Sequence, residues 1–264
     1  MINFPKIYHT AIQASIMASE KIMDVYSGEI NITIKPDGSP VTQADLLSSE
    51  IIASHLAPTR IPITGEERDE NNYSARLLWD SHWCVDPLDG TKMFILKNDE
   101  FSVNIAHVKG SIPVFGLIAS PVQRKIIVGG KGLGVYTFNF EEAEHLNQWK
   151  KIEAPSARNS PIIVACSRLF REKNNGFIEI LKSEFGDVNY LKMGSALKFI
   201  ELAEGNADIY VRFGPTMEWD IASGQAILEE LSGEVNDIET QRPLVYNKKT
   251  LFNPAFIAKT KAVL

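Results

Sequence analysis

Apolar residues recur at helical spacing between residues 4 and 27 (Ile7, Ala11, Ala14, Met17, Ala18, Ile22 and Val25), and Gly28 closes the run. The spacing predicts an amphipathic packing helix, on which His9 reads as a packing or surface residue. From 30 to 35 the pattern changes to alternation, with Ile30, Ile32 and Ile34, the mark of a strand. Lys35-Pro36-Asp37-Gly38-Ser39-Pro40 is a turn cluster. Thr42 and Asp45 then resemble a capping box, with Asp in place of the usual Glu. A helix is expected from residue 43 to 56, with Ala44, Leu47, Ile51 and Ile52 facing inward. Residues 61–64 form a short apolar strand that delivers Gly65-Glu66-Glu67. Residues 68–76 are polar and read as a mobile surface loop. Trp79 and Trp83 bracket a further strand that leads to Asp86, with the apolar run 83–85 as its end.

From 101 to 140 the pattern is strand after strand. Phe101, Val103 and Ile105 alternate, 113–118 is apolar, and 126–128 and 135–138 follow. Gly110, Pro121, Gly129-Gly130 and Gly132-Leu133-Gly134 punctuate them, which predicts an antiparallel meander. No Gly-Lys-Ser/Thr run follows the paired glycines, so they read as turns. The polar segment 141–160 marks a boundary, dividing the chain into residues 1–156 and 157–264. Beyond it strands (162–166, 188–191, 208–212) alternate with helices (176–184, 195–204, 220–231), the texture of a layered α/β half.

Composition narrows the class. The 264 residues allow one large domain or two smaller ones. A hydrophobic share of 44% and a charged share of 23% are those of a soluble globular protein. A net charge of −6 argues against a nucleic-acid binder. It does not argue against a phosphorylated substrate, because bound cations reverse a local field. Cys84 and Cys166 sit in apolar runs and read as buried free thiols of a reducing compartment. The first residues lack a signal-peptide layout, and no apolar run is long enough to span a bilayer. A cytoplasmic protein is expected, with peripheral contact at the inner membrane left open, as is the choice between monomer and homodimer.

The chemistry gathers at Trp83-Cys84-Val85-Asp86-Pro87-Leu88-Asp89-Gly90-Thr91-Lys92. A strand ends, two carboxylates three residues apart project, and a helix over 92–97 follows with Thr91 as its N-cap. Pro87 biases Asp86 away from helix, and Gly90 permits a left-handed turn. Two acids in one tight turn repel each other, and a hard divalent cation removes that repulsion. Helix N–H groups beside such a cation suit a phosphate. Turn chemistry alone would also explain Asp-Pro and Asp-Gly; other acids tip the balance. Glu66 lies 20 positions before Asp86 at the end of a neighbouring strand. Asp220 follows Trp219 as the N-cap of a helix. Asp45 is either a cap alone or also an orienting carboxylate. Gly194-Ser195 opens a helix as an ordinary cap or as a binder of sugar or phosphate oxygens. Arg212 is either a surface charge or a substrate cation.

Assembled, Lys35…Asp45, Gly65-Glu66-Glu67, Asp86-Pro87-Leu88-Asp89-Gly90-Thr91, Gly194-Ser195 and Trp219-Asp220 resemble the inositol monophosphatase superfamily of Mg²⁺-dependent, lithium-sensitive phosphatases. The finer texture is similar to its bacterial 3′(2′),5′-bisphosphate nucleotidases: residues 39–45, 89–92, the run from Gly194 to Thr216, and Phe252-Asn253-Pro254. Two positions depart from that pattern. Met93 stands where many relatives have Glu, and Cys166-Ser167-Arg168-Leu169-Phe170 lacks a histidine that relatives tend to carry.

The resemblance implies an α/β (α+β) layered α-β-α-β-α sandwich holding two or three Mg²⁺ ions. Glu66, Asp86 and the Leu88 carbonyl would hold one; Asp86, Asp89 and Asp220 a second; Glu66 a weaker third. Asp45 would steer Thr91, which orients the attacking water. Gly90 and Thr91 N–H groups would hold the phosphate. Ser195 would contact the ribose, with Lys198 and Arg212 at a second phosphate and Gly194 beside them. The implied reaction is hydrolysis of adenosine 3′,5′-bisphosphate to AMP and phosphate, as in sulfur assimilation. The rivals are an inositol or broad sugar-phosphate phosphatase and a non-catalytic binder that senses phosphorylated nucleotides. A pure binder has no need of paired metal ions.

Overall fold

A computed structural model describes residues 4–68, 72–168, 170 and 176–264. Residues 69–71 of the expected loop, and Leu169 of the run after the first strand of the second half, lie outside the described residues. The amino-terminal helical spacing forms α1 (Lys6–Ser27). The alternating isoleucines form β1 (Ile32–Ile34), which pairs antiparallel with β2 (Pro40–Thr42) in a hairpin. Alternation here does not mean a buried face: Ile32 and Ile34 are both exposed, because the hairpin joins neither large sheet. The capping box does form. The Asp45 carboxylate accepts from the Thr42 N–H at 2.8 Å, and α2 spans Gln43–Leu56 as expected.

A seven-stranded sheet follows, in the order β3-β4-β5-β6-β7-β8-β9. Its strands are β3 (Ile63–Gly65), β4 (Ser81–Asp89), β5 (Ser102–Lys109), β6 (Ile112–Ser120), β7 (Lys125–Gly130), β8 (Gly134–Asn139) and β9 (Lys150–Ile152). All neighbours from β4 onward are antiparallel, as the short turns require; β3 alone runs parallel to its partner. Two local expectations are corrected. The polar loop contains a helical turn, α3 (Tyr73–Arg76), whose Arg76 is buried. The helix after Asp89 is α4 (Thr91–Ile95), capped by Gly90 at φ +96° rather than by Thr91. The polar segment 141–160 holds β9, which joins the first sheet on the amino-terminal side of residue 156.

The second sheet has the order β11-β10-β12-β16-β14. Here β10 (Ile162–Cys166) and its neighbours β11 (Val188–Lys192) and β12 (Ile209–Arg212) run parallel, with α5 (Gly176–Phe185) and α6 (Leu197–Ala203) between them in sequence. Next come β13 (Thr216–Met217), α7 (Glu218–Glu230), β14 (Glu234–Asp237), β15 (Phe252–Asn253) and β16 (Phe256–Lys259). The sequence pattern missed β16, which enters antiparallel between β12 and β14. Two helices begin elsewhere than expected. Ser195 has φ +47°, so α6 starts at Leu197. Met217 caps α7, which places Asp220 at its third residue instead of at the cap.

The layers follow from the packing. Tyr8, Ile12 and Ile22 of α1 and Ile52 and Leu56 of α2 share a core with Trp83, Phe115 and Leu117 of the first sheet. The opposite face of that sheet (Ile118, Ile127, Val135) packs with Phe199 of α6, Ile221 and Ile227 of α7, and Tyr210, Phe256 and Ala258 of the second sheet. The far side of the second sheet (Val164, Val211, Ile257) takes Ile178 and Leu181 of α5. The order is therefore helix, sheet, helix, sheet, helix. Among the described residues no helix is long and apolar enough to cross a membrane.

The middle helical layer lies hard on the first sheet at one point. A Cβ added at Gly116 of β6 would meet the Ser223 carbonyl oxygen of α7 at 2.0 Å. Substituting Gly116→Ala should cost ~1–3 kcal/mol and lower Tm by roughly 3–10 °C. Thermal melts of the two proteins measure this, and an unchanged Tm would show that α7 yields freely.

Candidate metal centre and phosphate site

The first two acids converge because β4 does not run true. Asp86 pairs with Asn104, and Asp89 with Ser102, so three steps along β4 oppose two along β5. In an unbroken strand, residues three apart point to opposite faces; the bulge re-aims one of them. The distortion is held locally. Leu88 N–H donates to Asp86 Oδ1 at 3.0 Å, and Ser48 of α2 donates to the Pro87 carbonyl at 2.7 Å. Asp89 Oδ2 accepts from Asn104 Nδ2 at 3.2 Å and from Ala196 N–H at 2.5 Å. Glu66 directly follows the adjacent strand β3, which a side chain at Gly65 would push away: its Cβ would lie 2.4 Å from the Val85 carbonyl oxygen.

Asp220 comes from the second half of the chain. Its Oδ2 accepts from Met217 N–H at 2.8 Å. Carboxylate oxygens of Asp86, Asp89 and Asp220 lie within 4.8 Å of one another. All three, with Glu66, Gly90 and Thr91, line one cleft of about 660 Å³. The electrostatic consequence is severe. Burial, then the charges of Glu66, Asp89 and Asp220, hold the Asp86 carboxyl far above the usual range. Burial and Asp89 push Asp220 up to about 8. Burial also raises Asp89, against the opposing charge of Lys198, and raises Glu66, against that of Lys35. Four crowded acids of this kind fit a hard divalent cation. The donors are all oxygen, as Mg²⁺ prefers, and ligation would replace the protons that the cluster otherwise needs.

Thr91 sits beside this cluster with its hydrogen committed. Its Oγ1 donates to Asp45 Oδ1 at 2.8 Å and lies 3.3 Å from the Leu88 carbonyl oxygen. Asp45 is buried, so its cap role and its contact with Thr91 coexist, one on each oxygen. The Leu88 side chain is core, and its carbonyl oxygen turns toward Thr91 Oγ1. A smaller recess adjoins, lined by Asp89, Ser195, Lys198, Tyr210, Arg212 and Asp220. Within it the Lys198 ammonium donates to the carbonyls of Met193 (3.2 Å) and Ser195, and burial lowers its pKa to about 8. Arg212 Nη2 lies 3.4 Å from the Pro215 carbonyl oxygen. Gly194 departs from expectation: its N–H donates to Glu100 Oε2 at 2.8 Å, so it is not offered to a substrate.

Sequence reasoning missed several partners. Glu100 also pairs with Arg168, and Asn104 and Ser48 brace the bulge; none carries a local signal, since each acts across strands. Lys35 belonged to the motif but had no role. Its ammonium lies 3.0 Å from Glu66 Oε1 and also pairs with Glu67.

The sequence profile of the inositol monophosphatase family matches residues 5–263. The 3′(2′),5′-bisphosphate nucleotidase CysQ of Escherichia coli K12 is 34% identical over 244 residues, covering 90% of this chain and 94% of that one. The crystal structure of CysQ from Bacteroides thetaiotaomicron, described as a bacterial member of the inositol monophosphatase family, is 36% identical. It superposes with a TM-score of 0.82 over 96% of both chains. An inositol monophosphatase/NADP phosphatase complexed with Mg²⁺ and phosphate, 17% identical, shares the fold at a TM-score of 0.74 over 93% of this chain and 87% of its own.

The raised acids set a pH dependence. An acid whose folded pKa is raised keeps its proton longer folded than unfolded, so its contribution to stability is present at low pH. That contribution is lost as pH climbs from the usual value of 3.8 toward about 8 for Asp220. Metal-free protein should therefore melt at lower temperature at pH 8.5 than at pH 6, and Mg²⁺ should restore more stability at the higher pH. Melts with chelator or with Mg²⁺ measure this, and Asp220→Asn should flatten the slope.

Proposed function

We propose that this chain, which belongs to the inositol monophosphatase family, is a Mg²⁺-dependent phosphomonoesterase that hydrolyses the 3′-phosphate of adenosine 3′,5′-bisphosphate to AMP and phosphate. The observation that carries the chemistry is the cluster of three acids from β4 and α7, with Glu66 and the Asp45–Thr91 pair beside it. The observation that carries the substrate is the similarity to bisphosphate nucleotidases along nine-tenths of the chain.

Glu66, Asp86, Asp89, Asp220 and the Leu88 carbonyl would hold two ions, with Glu66 reaching a third. Bound Mg²⁺ would activate the attacking water and stabilise charge on the leaving 3′-oxygen. Thr91 Oγ1 gives its hydrogen to Asp45, which leaves that oxygen as an acceptor toward the cleft. It therefore holds a water by one proton and orients it. As the water loses that proton to Thr91 Oγ1, Thr91 passes its own to Asp45 Oδ1. Burial raises Asp45 from its ordinary value, against the hydrogen bonds from Thr42 and Thr91, which suits it to receive a proton. Gly90 and Thr91 N–H groups, at the start of α4, would take phosphate oxygens. Lys198 and Arg212, in the recess next to Asp89, would meet the remaining 5′-phosphate, and Ser195 the ribose. Cys84 and Cys166 are free and buried, which supports a reducing, cytoplasmic setting.

Phosphate release from adenosine 3′,5′-bisphosphate and from inositol 1-phosphate, each with and without Mg²⁺, tests the reading. The nucleotide should be preferred and the reaction should stop without the metal. A preference for the inositol ester would keep the site and change the substrate; no release from either would defeat the proposal. Thr91→Val should lower kcat by roughly 10²–10⁴ with KM little changed.

A further inference from the structure

Asp220 can serve a metal only if the start of α7 is held still, and that start rests on a buried network that the reaction itself does not use. Glu218, the first residue of α7, is fully buried. Its Oε1 accepts from Lys248 N–H at 3.0 Å and from Lys248 Nζ at 2.7 Å; its Oε2 accepts from Asn247 N–H at 2.7 Å. Its own N–H donates to the Leu251 carbonyl at 2.9 Å. Lys248 Nζ reaches on to Asn253 Oδ1 at 3.2 Å, and Asn253 Nδ2 donates to the Met217 carbonyl at 2.7 Å. Met217 is the residue whose N–H meets the Asp220 carboxylate.

The same loop is gripped from the other side. Arg76 Nη1 donates to Asn247 Oδ1 and to the Lys248 carbonyl, both at 3.0 Å, while Asn247 Nδ2 donates to the Arg76 carbonyl at 3.0 Å. Arg76 closes α3, in the connection between Glu66 and β4. The 247–253 segment thus clips the segment after Glu66 to the helix that presents Asp220. A buried carboxylate without partners is costly; here every oxygen of Glu218 is used, and each partner belongs to this clip.

We propose that Glu218, through Lys248 and Asn253, is a positioning residue that sets the Asp220 carboxylate for metal binding. The proposal rests on the metal-site reading above. Groups that orient ligands in this way typically contribute about 10–100-fold to metal affinity. Metal-free protein titrated with Mn²⁺ and followed by calorimetry tests it, together with hydrogen exchange at the Met217 and Glu218 amides, which donate to Asp220 Oδ2 and to the Leu251 carbonyl. Glu218→Gln should raise the Mn²⁺ dissociation constant about tenfold and speed exchange at those amides, while the interior of α7 stays protected. Lys248→Met should act in the same direction, and the double variant should fall short of the sum. Wild-type affinity and exchange in folded Glu218→Gln would overturn the proposal. If that variant does not fold, an unchanged Lys248→Met overturns it equally. If the unaltered protein binds no Mn²⁺, the metal-site reading fails, and amide exchange alone then decides whether Glu218 positions the helix start.

Discussion

Mutual repulsion among crowded, buried and half-buried carboxylates is the constraint on which the site depends. Asp86, Asp89 and Asp220 crowd within 4.8 Å, and Glu66 stands beside them. No ordinary core tolerates such a group without counter-charge, and the two nearby lysines are shared with other partners: Lys35 between Glu66 and Glu67, Lys198 with backbone carbonyls. The cluster is thus poised between binding protons and binding a divalent cation. A divalent cation would relieve the same repulsion that protons otherwise relieve.

The fold works to keep the acids together against their repulsion. A bulge in β4 brings two of them to one side, and the bulge is braced from α2 and β5 by Ser48 and Asn104. Gly65 lets β3 approach β4, and Gly90 supplies the left-handed turn that starts α4 directly after Asp89. The third aspartate is delivered by α7, which lies between two sheets and is seated on β6 through Gly116.

Much of this was legible along the chain, for a physical reason in each case. Capping chemistry is local, so the start of α2 at Gln43 was readable from Thr42 and Asp45. The meander was readable because its turns are short and glycine-marked. Less readable were elements whose identity depends on partners. The isoleucines of β1 alternate without a core to face, and β16 pairs with strands distant in sequence. Gly194 looked like an oxygen binder because it precedes a helix, yet Glu100, from nearly a hundred positions away, takes its N–H.

The sequence by itself determined the chemical inventory: the acids, the Asp-Pro-Leu-Asp-Gly-Thr turn, the longer strands and helices that precede Gly233, and the resemblance that they carry together. These are properties of residue type and near-neighbour spacing. Only the tertiary structure decided which of those groups meet. It brought Asp220 to Asp86, laid Lys35 on Glu66, and turned Asp45 at once into a helix cap and a partner for Thr91. Contacts across long stretches of chain leave no periodic trace in the sequence, because they depend on how whole layers stack rather than on the residues at either end.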